Sequence, residues 1–79
     1  MYYLYVLKSL IRPWHYIGIT DNTEKRLDQH NSGVTKSTKA YRPFNIVYTE
    51  IFEDKTLARK RELFLKKNFK ARKAIFKNL

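Results

Sequence analysis

Cysteine is missing from these 79 residues, which excludes a disulfide framework and any thiolate metal site as a means of holding the fold. Histidine is scarce: only His15 and His30 are present, and strand alternation turns His15 away from the face that carries Tyr16, which argues against a two-histidine metal site. The two glycines, Gly18 and Gly33, form no phosphate-cradling loop, and no Ser-His-Asp set stands out. Nucleotide binding and serine-nucleophile chemistry therefore fall away. The apolar start, Met1 to Leu7, stops at Lys8, lacks a basic leader and is far too short for a membrane span, so the expectation is a cytoplasmic chain with no membrane partner.

Positive charge is abundant. Seventeen Lys and Arg face seven acids, for a net +10, and a balance of that kind favours polyanions, because each neutralised phosphate releases condensed counterions. The length suits one domain, residues 1–79, with a small core. Five Phe, six Tyr and one Trp among many Leu and Ile supply that core.

Periodicity predicts an α+β chain in the order β-β-α-β-α-α. Tyr2 to Lys8 reads as a strand with Leu4 and Val6 on one face and Tyr3 and Tyr5 on the other. Arg12-Pro13 interrupts it, and Trp14 to Ile19 resumes as a second, antiparallel strand. Asp21 and Glu24 resemble a capping box for a helix that ends at Gly33. A polar, basic loop from Ser32 to Arg42 ends at Pro43. A third strand, Phe44 to Phe52, alternates Phe44, Ile46 and Tyr48 with Asn45, Val47 and Thr49. Asp54 then caps a helix through Leu57, Ala58, Phe64 and Leu65, and after Asn68 the stripe Phe69, Phe76, Leu79 is either a third helix or a bent continuation. The result is a small three-stranded antiparallel sheet flanked by helices. Phe69 and Phe76 read as core residues, in preference to an apolar face lying on an anionic membrane.

Polar groups on apolar faces are the informative ones. Glu62 shares a helical stripe with Ala58 and Leu65 and so needs a partner, either an ion pair with Arg59 or Arg61 or a metal ion. Arg26 and His30 lie four apart, flanking Leu27, and either lean over one patch of sheet or sit on a solvated face. Tyr5 and Tyr16 emerge on one face if the first two strands pair, and Gly18 on that face leaves open space or a close backbone approach.

Taken in order, these residues resemble the GIY-YIG nuclease family. Tyr3-Leu4-Tyr5 stands where the family has Gly-Ile-Tyr, and Tyr16-Ile17-Gly18 is the second tripeptide intact. Arg26 and His30 fall where the family places its arginine and histidine, and Glu62 matches the metal-binding glutamate. The likeness covers essentially the whole chain and is nearest to small stand-alone members, in the runs Tyr16 to Thr20, Glu24 to Leu27, His30 to Gly33, Ser37 to Ala40, Arg42-Pro43 and Arg61-Glu62. Two departures stand out: Tyr3 replaces the first glycine, and the asparagine that many catalytic members carry after the glutamate helix has Asn68 and Asn78 as its available counterparts.

The resemblance implies a metal-dependent endonuclease acting on DNA, with RNA as the alternative polymer, and a setting in repair or recombination. Glu62 would hold one Mg²⁺ or Mn²⁺, with water and a phosphate oxygen completing its coordination. Tyr5 would act as general base, helped by His30 or a lysine; Tyr16 would orient water or phosphate; Arg26 would brace the nonbridging oxygens. The strand would lie on the loop cations Lys36, Lys39 and Arg42 and on Lys66, Lys67, Lys70, Arg72 and Lys73 near the C-terminus. These charges carry little sequence information, so structure-selective cutting or a protein partner that supplies specificity is expected. The rival reading is a module of the same fold that binds nucleic acid without turnover.

Overall fold

The computed structural model describes residues 1–77 and 79. Strand β1 (Tyr2–Ser9) lies between β2 (His15–Thr20) and β3 (Phe44–Phe52), antiparallel to both. Helix α1 (Thr23–Ser32) follows β2; α2 (Lys55–Lys67) and α3 (Phe69–Phe76) follow β3. The expected element order and sheet are present, and Lys39–Tyr41 adds one 3₁₀ turn inside the segment read as loop.

Because β1 is central and side chains alternate along it, both of its faces are buried. Leu4 and Val6 join Ile17 and Leu65 on one side, with Ala71, Ile75 and Phe76 against them. Tyr5 and Leu7 join Phe44 on the other, with Leu27, Trp14 and Tyr16 around them. The β3 alternation is broken, contrary to expectation. Val6 pairs with Tyr48 and Leu7 with Ile46, leaving Val47 as an extra residue. Such a bulge resets the side-chain phase: Phe44 and Ile46 serve the Tyr5 side, while Val47, Tyr48 and Phe52 serve the other.

Helix boundaries follow local hydrogen bonding. The cap of α1 is Asn22, one residue later than the expected Asp21; its side chain accepts from Lys25 N–H at 3.0 Å. Gly33 ends α1 at φ 83°, and the Arg42 guanidinium fills the space a Cβ would take there. Asp54 caps α2 as expected, accepting from Leu57 N–H. Asn68 resolves the C-terminal ambiguity: its backbone is extended, its side chain accepts from Ala71 N–H at 3.0 Å, and α3 starts as a separate helix. Phe69, read as a core residue, is 65% exposed, and Leu57 and Phe64 of α2 are exposed as well. The inward stripe of α2 is Ala58, Glu62 and Leu65, because only positions three and four apart meet the sheet.

Candidate functional site

Pairing of β1 with β2 sets Tyr5 opposite Gly18, and alternation brings Tyr16 to the same face. The Tyr5 and Tyr16 rings stand 6.5 Å apart, centre to centre. Helix α1 is fixed over them by Asn31, whose side-chain oxygen accepts from Phe44 N–H at 2.7 Å and whose amide donates to the Phe44 carbonyl at 3.3 Å. His30 is therefore buried and Arg26 half-buried, both against this patch of sheet.

His30 is fully buried between Tyr5 and Thr38. Its Nε2 lies 2.9 Å from the Tyr5 hydroxyl and its Nδ1 2.8 Å from Thr38 Oγ1. Thr38 Oγ1 also donates to the Thr35 carbonyl at 3.4 Å, so it accepts from Nδ1–H and leaves Nε2 bare to accept the Tyr5 proton. Arg26 Nε donates to the Tyr5 oxygen at 3.3 Å, and its Nη1 to Gln29 Oε1 at 2.9 Å. One direction of donation, from Arg26 through Tyr5 and His30 to Thr38, satisfies the whole chain.

The electrostatics follow from burial. Loss of solvent, with the Arg26 charge nearby, pulls the His30 imidazole down to about 4, so it is neutral at pH 7. In that state the imidazole carries no positive charge and offers a bare ring nitrogen to the Tyr5 hydroxyl. Burial also raises the Tyr5 hydroxyl above its usual value, against the lowering effect of Arg26. Tyr5 thus keeps its proton and shares it with His30.

Glu62 lies beside this cluster with 4% of its surface exposed. Its carboxylate accepts from Arg59 Nη1 at 2.8 Å and from Lys66 Nζ at 3.1 Å. Arg61, the other partner considered, turns to Glu50 with two bonds of 2.9 and 3.1 Å. Lys66 links Glu62 to the tyrosine face, since its ammonium sits 5.5 Å from the centre of the Tyr16 ring. Among the described residues no group of three or more His, Cys, Asp or Glu converges. A lone carboxylate still suits a hard divalent ion that retains water and takes substrate oxygens, and the side chains now paired with Glu62 are 59% (Arg59) and 44% (Lys66) exposed.

The other cations expected to lie along the strand fall into two groups. Lys36, Lys39 and Arg42 line a concavity of about 520 Å³ on the α1–β3 connection. Lys67, Lys70 and Lys73 are exposed on α2 and α3. Arg72 is committed to structure: its Nη1 donates to the Leu65 and Lys66 carbonyls, each at 2.9 Å, and so ties off the end of α2. Asn68, a counterpart of the family's asparagine, is occupied as the α3 cap, and Asn78 lies outside the described residues. Sequence reasoning missed Thr38 and Asn31. Thr38 lay in a run that the resemblance had marked without a role, and nothing in the sequence tied Asn31 to the strand it holds.

Residues 1–75 match the GIY-YIG catalytic domain. A UPF0213 protein of Clostridium perfringens is 43% identical over 68 residues, covering 85% of this chain and 72% of that one. The UPF0213 protein YazA of Bacillus subtilis is 33% identical over 76 residues, covering 95% and 76%. The solution NMR structure of a UPF0213 protein of Bacillus halodurans superposes with a TM-score of 0.57 at 29% identity, covering 99% of this chain and 84% of that one.

Proposed function

This chain belongs to the GIY-YIG nuclease family, and from that premise we propose a metal-dependent endonuclease that hydrolyses phosphodiester bonds in DNA. The observation that carries the reading is the convergence of Tyr5, Tyr16, Arg26 and His30 beside the buried carboxylate of Glu62. Pure phosphate binding calls for surface cations; it has no use for a buried carboxylate or for a neutral histidine holding a tyrosine proton.

Glu62 would hold one Mg²⁺ or Mn²⁺, which supplies Lewis-acid stabilisation of charge on the phosphate and the leaving oxygen. Tyr5 acts as a relay: its oxygen takes a proton from the attacking water as its own proton passes to His30 Nε2. No phenolate forms, in keeping with a hydroxyl whose proton is held more tightly than usual. Arg26 keeps Nη2, and the second hydrogen of Nη1, to place on nonbridging oxygens. Tyr16, half-buried on the same face, orients the water or phosphate.

Specificity for branched or single-stranded DNA, work in repair or recombination in the cytoplasm, and a protein partner that directs cleavage complete the reading. Support comes from the basic surface, which is suited to phosphates and offers no base-reading module. No helix among the described residues is long and apolar enough to cross a membrane. The test is incubation of the protein and its Glu62→Gln variant with labelled branched and single-stranded DNA, with and without Mg²⁺ or Mn²⁺. Metal-dependent products from the wild type alone are expected. Binding by both proteins with no product under either metal would reduce the chain to an inactive binding module.

A further inference from the structure

A second concave surface opens at the end of the sheet where β1 begins and β2 ends. It has a volume of about 440 Å³ and gathers Lys25 and Arg26 from α1 with Lys55 and Arg59 from α2. Asp21 is the lone acid on its wall, and the Tyr2 side of β1 forms part of its lining. Among the described residues Lys25 and Lys55 take part in no ion pair. Four cations converging on one hollow repel one another, and an anion entering there relieves that repulsion.

Two of the four connect the hollow to the candidate site. Arg26 lines it while donating to the Tyr5 hydroxyl. Arg59 lines it while donating to Glu62. An anion seated here is therefore adjacent to one held at the site, which is the arrangement of successive phosphates along a polynucleotide. A compact free anion has no need of that continuity.

We propose that this hollow is a backbone subsite in which Lys25, Lys55 and Arg59 hold a phosphate of the nucleic-acid strand next to the one held by Arg26. The inference rests on the nucleic-acid reading above and adds residues that the basic loop and the C-terminal cations do not include. Lys25 and Lys55 are exposed, so neutralising them leaves the core untouched.

The test compares a Lys25→Gln/Lys55→Gln double variant with a Lys8→Gln/Lys77→Gln variant, which removes the same charge away from the hollow. Binding of a fluorescent single-stranded oligothymidylate is followed by anisotropy without divalent metal, across a salt series. The first variant is expected to lose about tenfold in affinity at low salt, and its salt slope to become shallower by about 1.4, two contacts at roughly 0.7 each for a single strand. The second is expected to leave the salt slope unchanged and, at about 0.1 M salt where the Debye length is roughly 10 Å, to stay within about twofold of the wild type. Equal losses in both variants, or none in either, would overturn the subsite while leaving wild-type binding and cleavage in place. A wild type that binds no oligonucleotide would overturn the nucleic-acid reading, and the subsite with it.

Discussion

The ring of Tyr5 crosses over Gly18: a Cβ at Gly18 would stand 2.5 Å from the Tyr5 hydroxyl oxygen and 2.7 Å from its Cζ. Glycine is needed there for space, since its φ is ordinary for a strand. Gly18→Ala must push the Tyr5 ring away from His30 and Arg26. Overpacking of this kind costs about 1–3 kcal/mol, and urea unfolding should register it. Cleavage should fall further than stability accounts for, because the displaced hydroxyl is the one that joins Arg26 to His30. A Gly18→Ala protein with wild-type turnover would show that the Tyr5 hydroxyl has no part in the chemistry.

His30 makes stability depend on pH. Its folded value of about 4 lies below the unfolded value of 6.5, so between these limits the unfolded chain binds more protons. Stability is therefore complete above about pH 6.5 and declines as pH falls toward 4. The full loss is on the order of 3 kcal/mol, the gap between 6.5 and about 4 taken at roughly 1.36 kcal/mol per unit. Urea midpoints at pH 7.5 and pH 5 should differ clearly for the wild type and much less for His30→Gln. A residual slope in the variant belongs to His15, whose imidazole burial and Lys8 push the same way.

Tyr5→Phe separates a relay from a phenolate. Removing the hydroxyl should lower the cleavage rate at least about tenfold, at the low end of general-base effects. Single-turnover rates between pH 7 and 9 should show no tenfold rise per unit that depends on Tyr5, because the relay uses the protonated hydroxyl, the form that burial favours. Such a rise, present in the wild type and lost in Tyr5→Phe, would establish the phenolate route and set the His30 relay aside.

Much of this arrangement was legible in the sequence because it rests on short-range periodicity. Alternation along β1 and β2 separates Leu4 and Val6 from Tyr5, and four-residue spacing joins Arg26 to His30 and Ala58 to Glu62. What stayed hidden depends on contacts between distant segments. Thr38 meets His30 only after the polar loop folds back, and Asn31 holds Phe44 only once α1 is seated. The bulge at Val47 leaves no mark in the composition of β3, so strict alternation put Tyr48 on the wrong face. Phe69 misled for a different reason: the break at Asn68 rotates α3, and a stripe continued from α2 no longer points inward. Its ring instead lies 5.8 Å from the Arg72 guanidinium and 5.9 Å from the Lys73 ammonium.

Arg59 competes for Glu62. Its guanidinium donates to Oε1 at 2.8 Å, and Lys66 donates to Oε2, so a divalent ion competes with two cations for the carboxylate. The Arg59 side chain is 59% exposed, and an ion pair held from such a position contributes about 0.2–1 kcal/mol. Arg59→Gln should therefore tighten Mn²⁺ binding by up to about fivefold in the absence of nucleic acid, while Glu62→Gln abolishes it. Titration calorimetry of the three proteins reads this directly. Arg59→Gln should also weaken oligonucleotide binding without metal, since the same guanidinium lines the basic hollow. A variant with weaker metal binding than the wild type would mean that Arg59 holds Glu62 in its ligating position, and competition between the two cations would be the wrong description.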